Sequence, residues 1–266
     1  MKRDKRILRL LSIAGSDNTS GAGIQADIKT CHALKTYCLS CITSITSQNS
    51  KKFYKIFELP NNLIKSQIKT IAEDHTIDCI KIGLIKSVSQ ARIICKTLKQ
   101  LDYKVPIVVD PIYKSSTDKK FSNLDNYIEI YRIFSKIKPV FTPNLNEAKS
   151  LLKISYNKKI DINDLVNFFF KIYKTGIVIT DAGKNRKYCE DFFFNEQKEV
   201  NKFVTLRIKT RNTHGSGCTF SSALAIFLAK GFIIDDSVRL AKNFTRDCIL
   251  GAPSFGLRYG PLGYWL

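Results

Sequence analysis

Apolar and polar positions recur along this chain in two alternating periods. Residues 7–14 are a short apolar run that reads as a buried strand. A loop of small and polar residues follows, Gly15-Ser-Asp-Asn-Thr-Ser-Gly-Ala-Gly. Ile24, Ile28, Cys31 and Leu34 then fall at helical spacing. Strands are predicted at 37–46, 53–59, 79–84, 105–109, 140–142 and 177–180, and helices at 61–73, 88–101, 147–153 and 162–173. Gly176 is expected to close the last of these helices. Residues 114–123 read as a polar loop, and 188–194 with 203–208 as a hairpin. Two final helices are predicted over 216–230 and 237–250.

Strands that alternate with helices imply an α/β fold, a mostly parallel sheet with helices on both faces. No shift in composition marks a linker and no repeat is visible, so residues 1–266 read as a single domain. Each strand runs into polar or special residues: Ser47, Gln48 and Asn49, then Gly83, Asp110-Pro111 and Pro143-Asn144. In an open α/β sheet those ends gather along one edge, where ligands bind.

Composition changes this picture little. Hydrophobic residues make up 44% and charged residues 25%, an ordinary globular balance. The net charge of +20 raises nucleic acid as a partner, but the lysines are scattered and no basic block stands out. Abundant Lys, Ile, Asn and Phe fit codon drift in an AT-rich genome, so no specific nucleic acid is expected. Eight cysteines in a chain of 266 residues do not make a disulfide scaffold. Cys38 and Cys41 have C-x-x-C spacing inside an apolar run, with no second pair to complete a zinc site, and read as incidental. No signal peptide or membrane span is legible, and a cytoplasmic protein is expected.

The stretch that changes the picture most is Arg211-Asn-Thr-His-Gly-Ser-Gly-Cys-Thr-Phe-Ser-Ser. A small-residue loop that opens into a helix leaves backbone N–H groups without intrahelical acceptors. With the positive end of the helix dipole they suit an anion, and glycine lets the backbone approach it closely. Cys218 lies in the first turn, where the same field is expected to lower its thiol pKa.

Several separate stretches now agree. Ser12-Ile-Ala-Gly-Ser-Asp, Gly21-Ala-Gly-Ile-Gln-Ala-Asp-Ile-Lys-Thr and Ser40-Cys-Ile-Thr-Ser-Ile-Thr-Ser-Gln-Asn open the chain. Lys81-Ile-Gly, Val109-Asp-Pro, Thr142-Pro-Asn-Leu-Asn-Glu-Ala and Asn212-Thr-His-Gly-Ser-Gly-Cys-Thr follow in order. Over nearly its whole length the chain resembles the hydroxymethylpyrimidine/phosphomethylpyrimidine kinases of thiamine biosynthesis. The resemblance implies a ribokinase-like three-layer sandwich and ATP-dependent phosphorylation of 4-amino-5-hydroxymethyl-2-methylpyrimidine and of its monophosphate. ATP and Mg2+ are the implied cofactors, and a homodimer is expected.

The same resemblance places the pyrimidine on Asp27 and Gln48, with Gly15 approaching it closely and Leu84 and Ile112 touching the ring. Read alone, Asp27 would be an exposed helix charge and Gln48 a loop amide. Asn144 and Glu147 match the N-x-x-E metal element, and Asp110, at a strand end, is a further metal candidate. Their spacing equally suits a helix capping box. Gly215, Ser216, Gly217 and Cys218 become the anion hole for the transferred phosphoryl group, and Lys114 the phosphate-facing lysine. A thiolate at Cys218 is a candidate acceptor for the hydroxyl proton. Nucleotide contacts fall at Thr180 and Gly183. Two stretches depart from the family. Tyr113-Lys-Ser-Ser-Thr-Asp stands for its Ala-Lys-Ser-Gly-Asp loop, and Thr180-Asp-Ala-Gly-Lys for its Lys-Gly-Gly-His. Pyridoxal kinase, of the same fold, and a degenerate non-catalytic pyrimidine-binding protein are the alternatives.

Overall fold

A computed structural model of the chain describes residues 6–115, 119–183, 187–195 and 199–265. Nine strands pair into one sheet: β1 (Arg9–Asp17), β2 (Tyr37–Gln48), β3 (Phe53–Glu58), β4 (Cys79–Ile82), β5 (Ile107–Val109), β6 (Val140–Phe141), β7 (Ile177–Ile179), β8 (Tyr188–Phe194) and β9 (Val200–Leu206). Their order across the sheet is β3-β2-β1-β4-β5-β6-β7-β8-β9. The six strands from β2 to β7 run parallel, and β3 and the β8–β9 hairpin close the two edges antiparallel.

Eight helices complete the described fold: α1 (Gly23–Ala33), α2 (Asn61–Asp74), α3 (Val88–Gln100), α4 (Leu124–Ser135), α5 (Leu145–Leu151), α6 (Ile162–Tyr173), α7 (Ser216–Ala229) and α8 (Ile234–Leu250). Side chains of a strand point alternately to its two faces, and the core splits accordingly. Leu11, Ile13, Ile80, Ile82 and Val109 pack with α2 to α6, whereas Leu10, Cys79, Val108 and Val178 pack with α1, α7 and α8. The three-layer sandwich expected from the sequence is therefore present. Helix α7 is buried from Cys218 to Phe227, Thr219, Ser221 and Ser222 included, as a helix held between a sheet and other helices must be.

Four expectations need correction. The run assigned to 7–14 continues as strand to Asp17, which brings the first motif to the sheet edge. Ile28 faces solvent, and Asp27 and Thr30 are the buried neighbours on α1. Lys174, at φ 50°, closes α6 instead of Gly176. Helix α4 has no counterpart among the predicted elements. Asn123 caps it, and Tyr127, Tyr131 and Phe134 recur along its buried face. The Tyr127 hydroxyl donates to Pro111 O at 2.6 Å, which lets a tyrosine sit fully inside. Helix α4 thus packs beneath the strand end that carries Asp110.

Candidate active site

The carboxyl ends of β1, β2, β5, β6 and β7 open into one cavity of about 900 Å3. Gly15, Gln48, Leu84 and Ile112 line one end of it. A Cβ on Gly15 would stand 2.9 Å from Ser44 Oγ and 3.1 Å from Leu84 Cδ2, so glycine lets these side chains pack close to the backbone. Gln48 Nε2 donates to Asp17 Oδ1 at 2.8 Å, and its backbone N–H donates to Asn18 Oδ1 at 2.9 Å.

Asp17 organises this end. It accepts from the N–H groups of Thr19 and Ala22 at 2.9 Å each and from Gly21 at 3.2 Å. His214 Nε2 lies 2.8 Å from Asp17 Oδ2, the oxygen that Gly21 and Ala22 also reach. Burial alone would raise the Asp17 pKa; the hydrogen bond and charge of His214, with the Thr19 bonds, outweigh burial and hold it at about 2. The pair joins the β1 loop to the loop before α7, 197 residues apart in sequence. Both residues stand inside quoted motifs, yet spacing assigned neither a role.

The loop before α7 follows directly. Gly215 has φ 91°, and a Cβ there would meet Gly21 O at 1.9 Å. Its glycine is a structural requirement. Gly217 differs, because a Cβ there would only touch Asp110 Oδ2 at 3.6 Å. Gly215, Ser216, Gly217 and Cys218 all line the cavity. The Ser216 N–H turns back to Thr213 O at 3.1 Å. The following amides belong to the first turn of α7, which has no intrahelical acceptors to offer them. Cys218 corrects the sequence reading. Burial pushes its thiol up to about 12, although Lys81 and a hydrogen bond from the Gly23 backbone pull it down. It is therefore a thiol, beside the Asp110 carboxylate.

Two further carboxylates line the middle of the cavity. Burial raises Asp110 to about 6; Lys81 opposes this, as do hydrogen bonds from Ser221 and Cys218, while Asp27 adds to it. Burial raises Glu147 to about 8, and the charge of Asp110 adds to it. The capping box is present too: Asn144 Oδ1 accepts from the Glu147 N–H at 2.9 Å, and Glu147 Oε2 accepts from the Asn144 N–H at 3.0 Å. Both alternatives weighed for this motif thus bear on the same pair of side chains.

Asp27 does not reach the cavity. Its carboxylate is fully buried and faces Lys81 Nζ at 2.9 Å from both oxygens. Ser12 Oγ donates to it at 2.5 Å and Ser222 Oγ at 2.8 Å. Its acceptor capacity is spent within the scaffold, and the pyrimidine contact assigned to it is withdrawn. Gly183 also stands off the cavity wall, and a Cβ there would strike Glu190 Oε2 at 2.1 Å. Thr180 does line the cavity, as does Lys114, whose Nζ lies 5.4 Å from the centre of the Tyr156 ring. Ser116, Thr117 and Asp118 of the same loop lie outside the described residues.

The other end of the cavity was not foreseen. Asp181, Asp191, Arg207, Lys242 and Arg246 line it, drawn from the β7 turn, the hairpin and α8. Among the described residues no group of three or more His, Cys, Asp and Glu side chains is placed to hold a metal ion. No described helix is long and apolar enough to cross a membrane.

The phosphomethylpyrimidine kinase family matches this sequence over residues 17–263. A probable thiamine biosynthetic bifunctional enzyme of Oryza sativa is 36% identical over 261 residues, covering 96% of this chain and 46% of that protein. The chain thus spans about half the length of that relative. A hydroxymethylpyrimidine/phosphomethylpyrimidine kinase of Staphylococcus aureus is 30% identical over 257 residues, covering 96% of this chain and 92% of that protein. Among solved structures, a Bacillus subtilis pyridoxal kinase in complex with ADP superposes with a TM-score of 0.85 at 28% identity, covering 97% of this chain and 98% of that one. With its motifs gathered on one sheet edge and a family match over almost all its length, this chain belongs to the phosphomethylpyrimidine kinase family.

Proposed function

We propose that this chain transfers the terminal phosphoryl group of ATP to the hydroxymethyl oxygen of 4-amino-5-hydroxymethyl-2-methylpyrimidine, and then to the monophosphate so formed. The observation that carries this reading is the continuity of one cavity, from Gln48, Leu84 and Ile112 past the loop 215–218 to Thr180. A Gln side chain donates and accepts at once, which suits an aminopyrimidine edge. Phosphoryl transfer depends mainly on positioning and on stabilising charge. The first-turn amides of α7 supply donors that need no reorganisation as charge develops. Lys114 adds a cation from the loop after β5.

Asp110 and Glu147 would hold Mg2+, with Asn144 close by. The reading is supported by the donor chemistry: burial pushes both carboxyl groups up, the charge of Asp110 adds to this at Glu147, and a divalent cation would relieve it. Mg2+ there would neutralise charge on the phosphate oxygens. Cys218, a thiol beside Asp110, serves the site as a packing group. A loose transition state needs little early deprotonation, so no strong base is required.

The fold match to a pyridoxal kinase supports a second reading, phosphorylation of pyridoxal. One experiment separates the two: ATP consumption with the pyrimidine alcohol, its monophosphate and pyridoxal in parallel. Turnover with the two pyrimidines is the expected result. Turnover with pyridoxal alone would replace the proposal by the second reading.

A further inference from the structure

The departure from the family after β7 builds a local network of its own. Asp181 has φ 48°, a left-handed conformation that Asp tolerates better than most residues. Its N–H donates to Asp191 Oδ1 at 2.9 Å. Its carboxylate takes a two-pronged contact from Arg207, with Nη2 at 2.5 Å from Oδ1 and Nη1 at 3.2 Å from Oδ2. Arg207 also donates from Nη2 to Tyr188 O at 3.1 Å, and from its backbone N–H to Lys187 O at 3.0 Å. One arginine therefore grips both ends of the connection between β7 and β8. Behind it, Asp191 Oδ2 meets Lys242 Nζ at 2.8 Å, and both side chains are buried. The charges run Arg207, Asp181, Asp191, Lys242, and all four residues line the cavity.

Position gives this wall its ligand. The pyrimidine end is taken by Gln48 and Leu84, and the anion loop lies in the middle. What remains for the phosphoryl donor is the end beyond the loop, bounded by Thr180, Asp181 and Arg207. We infer that the Asp181–Arg207 pair is a positioning pair for the nucleotide: it locks the β7 turn to the end of β9 and so fixes the wall on which an adenine nucleotide lies. The inference rests on the kinase reading and deepens it. The pair is half-exposed, and such pairs add little to stability. The bidentate fork instead supplies geometric definition.

The test is calorimetric titration of ADP, and separately of the pyrimidine alcohol, into intact protein. Arg207→Met removes the fork. Asp181→Gly removes the carboxylate but accepts the left-handed backbone, so a folding defect does not confuse the result. Each variant is expected to weaken ADP binding about tenfold, the scale of a hydrogen bond to a charged group. The double variant should be no weaker than either single one, because the two act as a unit. Arg207→Lys should fall between, and affinity for the pyrimidine alcohol should not change. Wild-type ADP affinity in both single variants would overturn the inference, as would equal loss of affinity for ADP and the pyrimidine alcohol. A wild-type protein that binds the pyrimidine alcohol but no ADP would overturn the kinase reading itself, and the inference with it.

Discussion

Two buried acidic centres lie side by side under the loop before α7, and they have opposite fates. Asp27 faces Lys81 and two serine hydroxyls, and every one of these groups is fully buried. Burial alone would lower the Lys81 ammonium; the Asp27 charge outweighs it, with Cys218 and Asp110 adding, and holds it above its ordinary value. Burial pushes Asp110 and Glu147 upward, and the Lys81 charge at Asp110 and the backbone N–H bonds at Glu147 offset this only in part. The compensated acid is scaffold. The less compensated pair lines the cavity, and it is the pair proposed to hold the cation. A perturbation that the protein partners do not fully offset is what distinguishes the proposed metal pair here.

The largest expected effect breaks the compensated centre. Asp27→Ala leaves the Lys81 ammonium buried without its ion-pair partner, and should cost about 3–5 kcal/mol of stability. Chemical denaturation measures it. Replacing both partners, Asp27→Leu with Lys81→Met, should recover most of that loss, since burying a pair is costly in itself. Recovery fails if the pair does more than hold the scaffold.

Next comes Gly217→Val. A Cβ at Gly217 meets only Asp110, at 3.6 Å, so the fold should tolerate a side chain there. The added bulk enters the phosphate path, and turnover should fall roughly 10²–10³-fold, as when one oxyanion donor is lost. Unchanged melting with lost turnover is the expected pair of results; melting that falls in step with turnover would make Gly217 a structural glycine like Gly215.

Much of this was legible in the sequence, for identifiable reasons. The alternation of apolar runs placed the parallel strands, and the polar residues after them marked the cavity edge. Helix α4 escaped because its buried face is built on Tyr127 and Tyr131, whose hydroxyls read as polar, and only the fold shows Tyr127 bonded to Pro111. Asp27 was misassigned because its partner Lys81 lies 54 residues away. The lowered thiol pKa expected at Cys218 fails because spacing carries no information on burial, and burial wins. The Asp17–His214 and Asp181–Arg207 pairs share this difficulty, since each is made by topology and not by neighbours in sequence.

Smaller effects sharpen the contrast. The folded-state pKa of Glu147, about 8, lies above its ordinary value of 4.5, so the fold favours the neutral acid. Stability from this group is complete below pH 4.5 and is lost as pH rises through about 8. Chelator-treated protein should therefore melt lower across that window, and Glu147→Gln should flatten the slope. Asp17 runs the other way, with its contribution present above its ordinary 3.8 and lost as pH falls through about 2. Cys218→Ser should cost least, under about tenfold in turnover, because a thiol pushed up to about 12 is not a base at neutral pH. Abolished activity in this variant would restore an obligatory role for the thiolate.

The contrast between the two centres is tested most directly by Mg2+ titration in the presence of ADP, followed by calorimetry. Three proteins are needed: wild type, Glu147→Gln, and the Asp27→Leu, Lys81→Met double variant. Glutamine keeps the capping geometry while removing the charge, so α5 should remain intact. The account predicts that wild type and the double variant bind Mg2+ alike, whereas Glu147→Gln binds it about tenfold more weakly, the scale of one lost charged contact. Wild-type Mg2+ affinity in Glu147→Gln, with weakened affinity in the double variant, would contradict the account and move the cation to the Asp27 side.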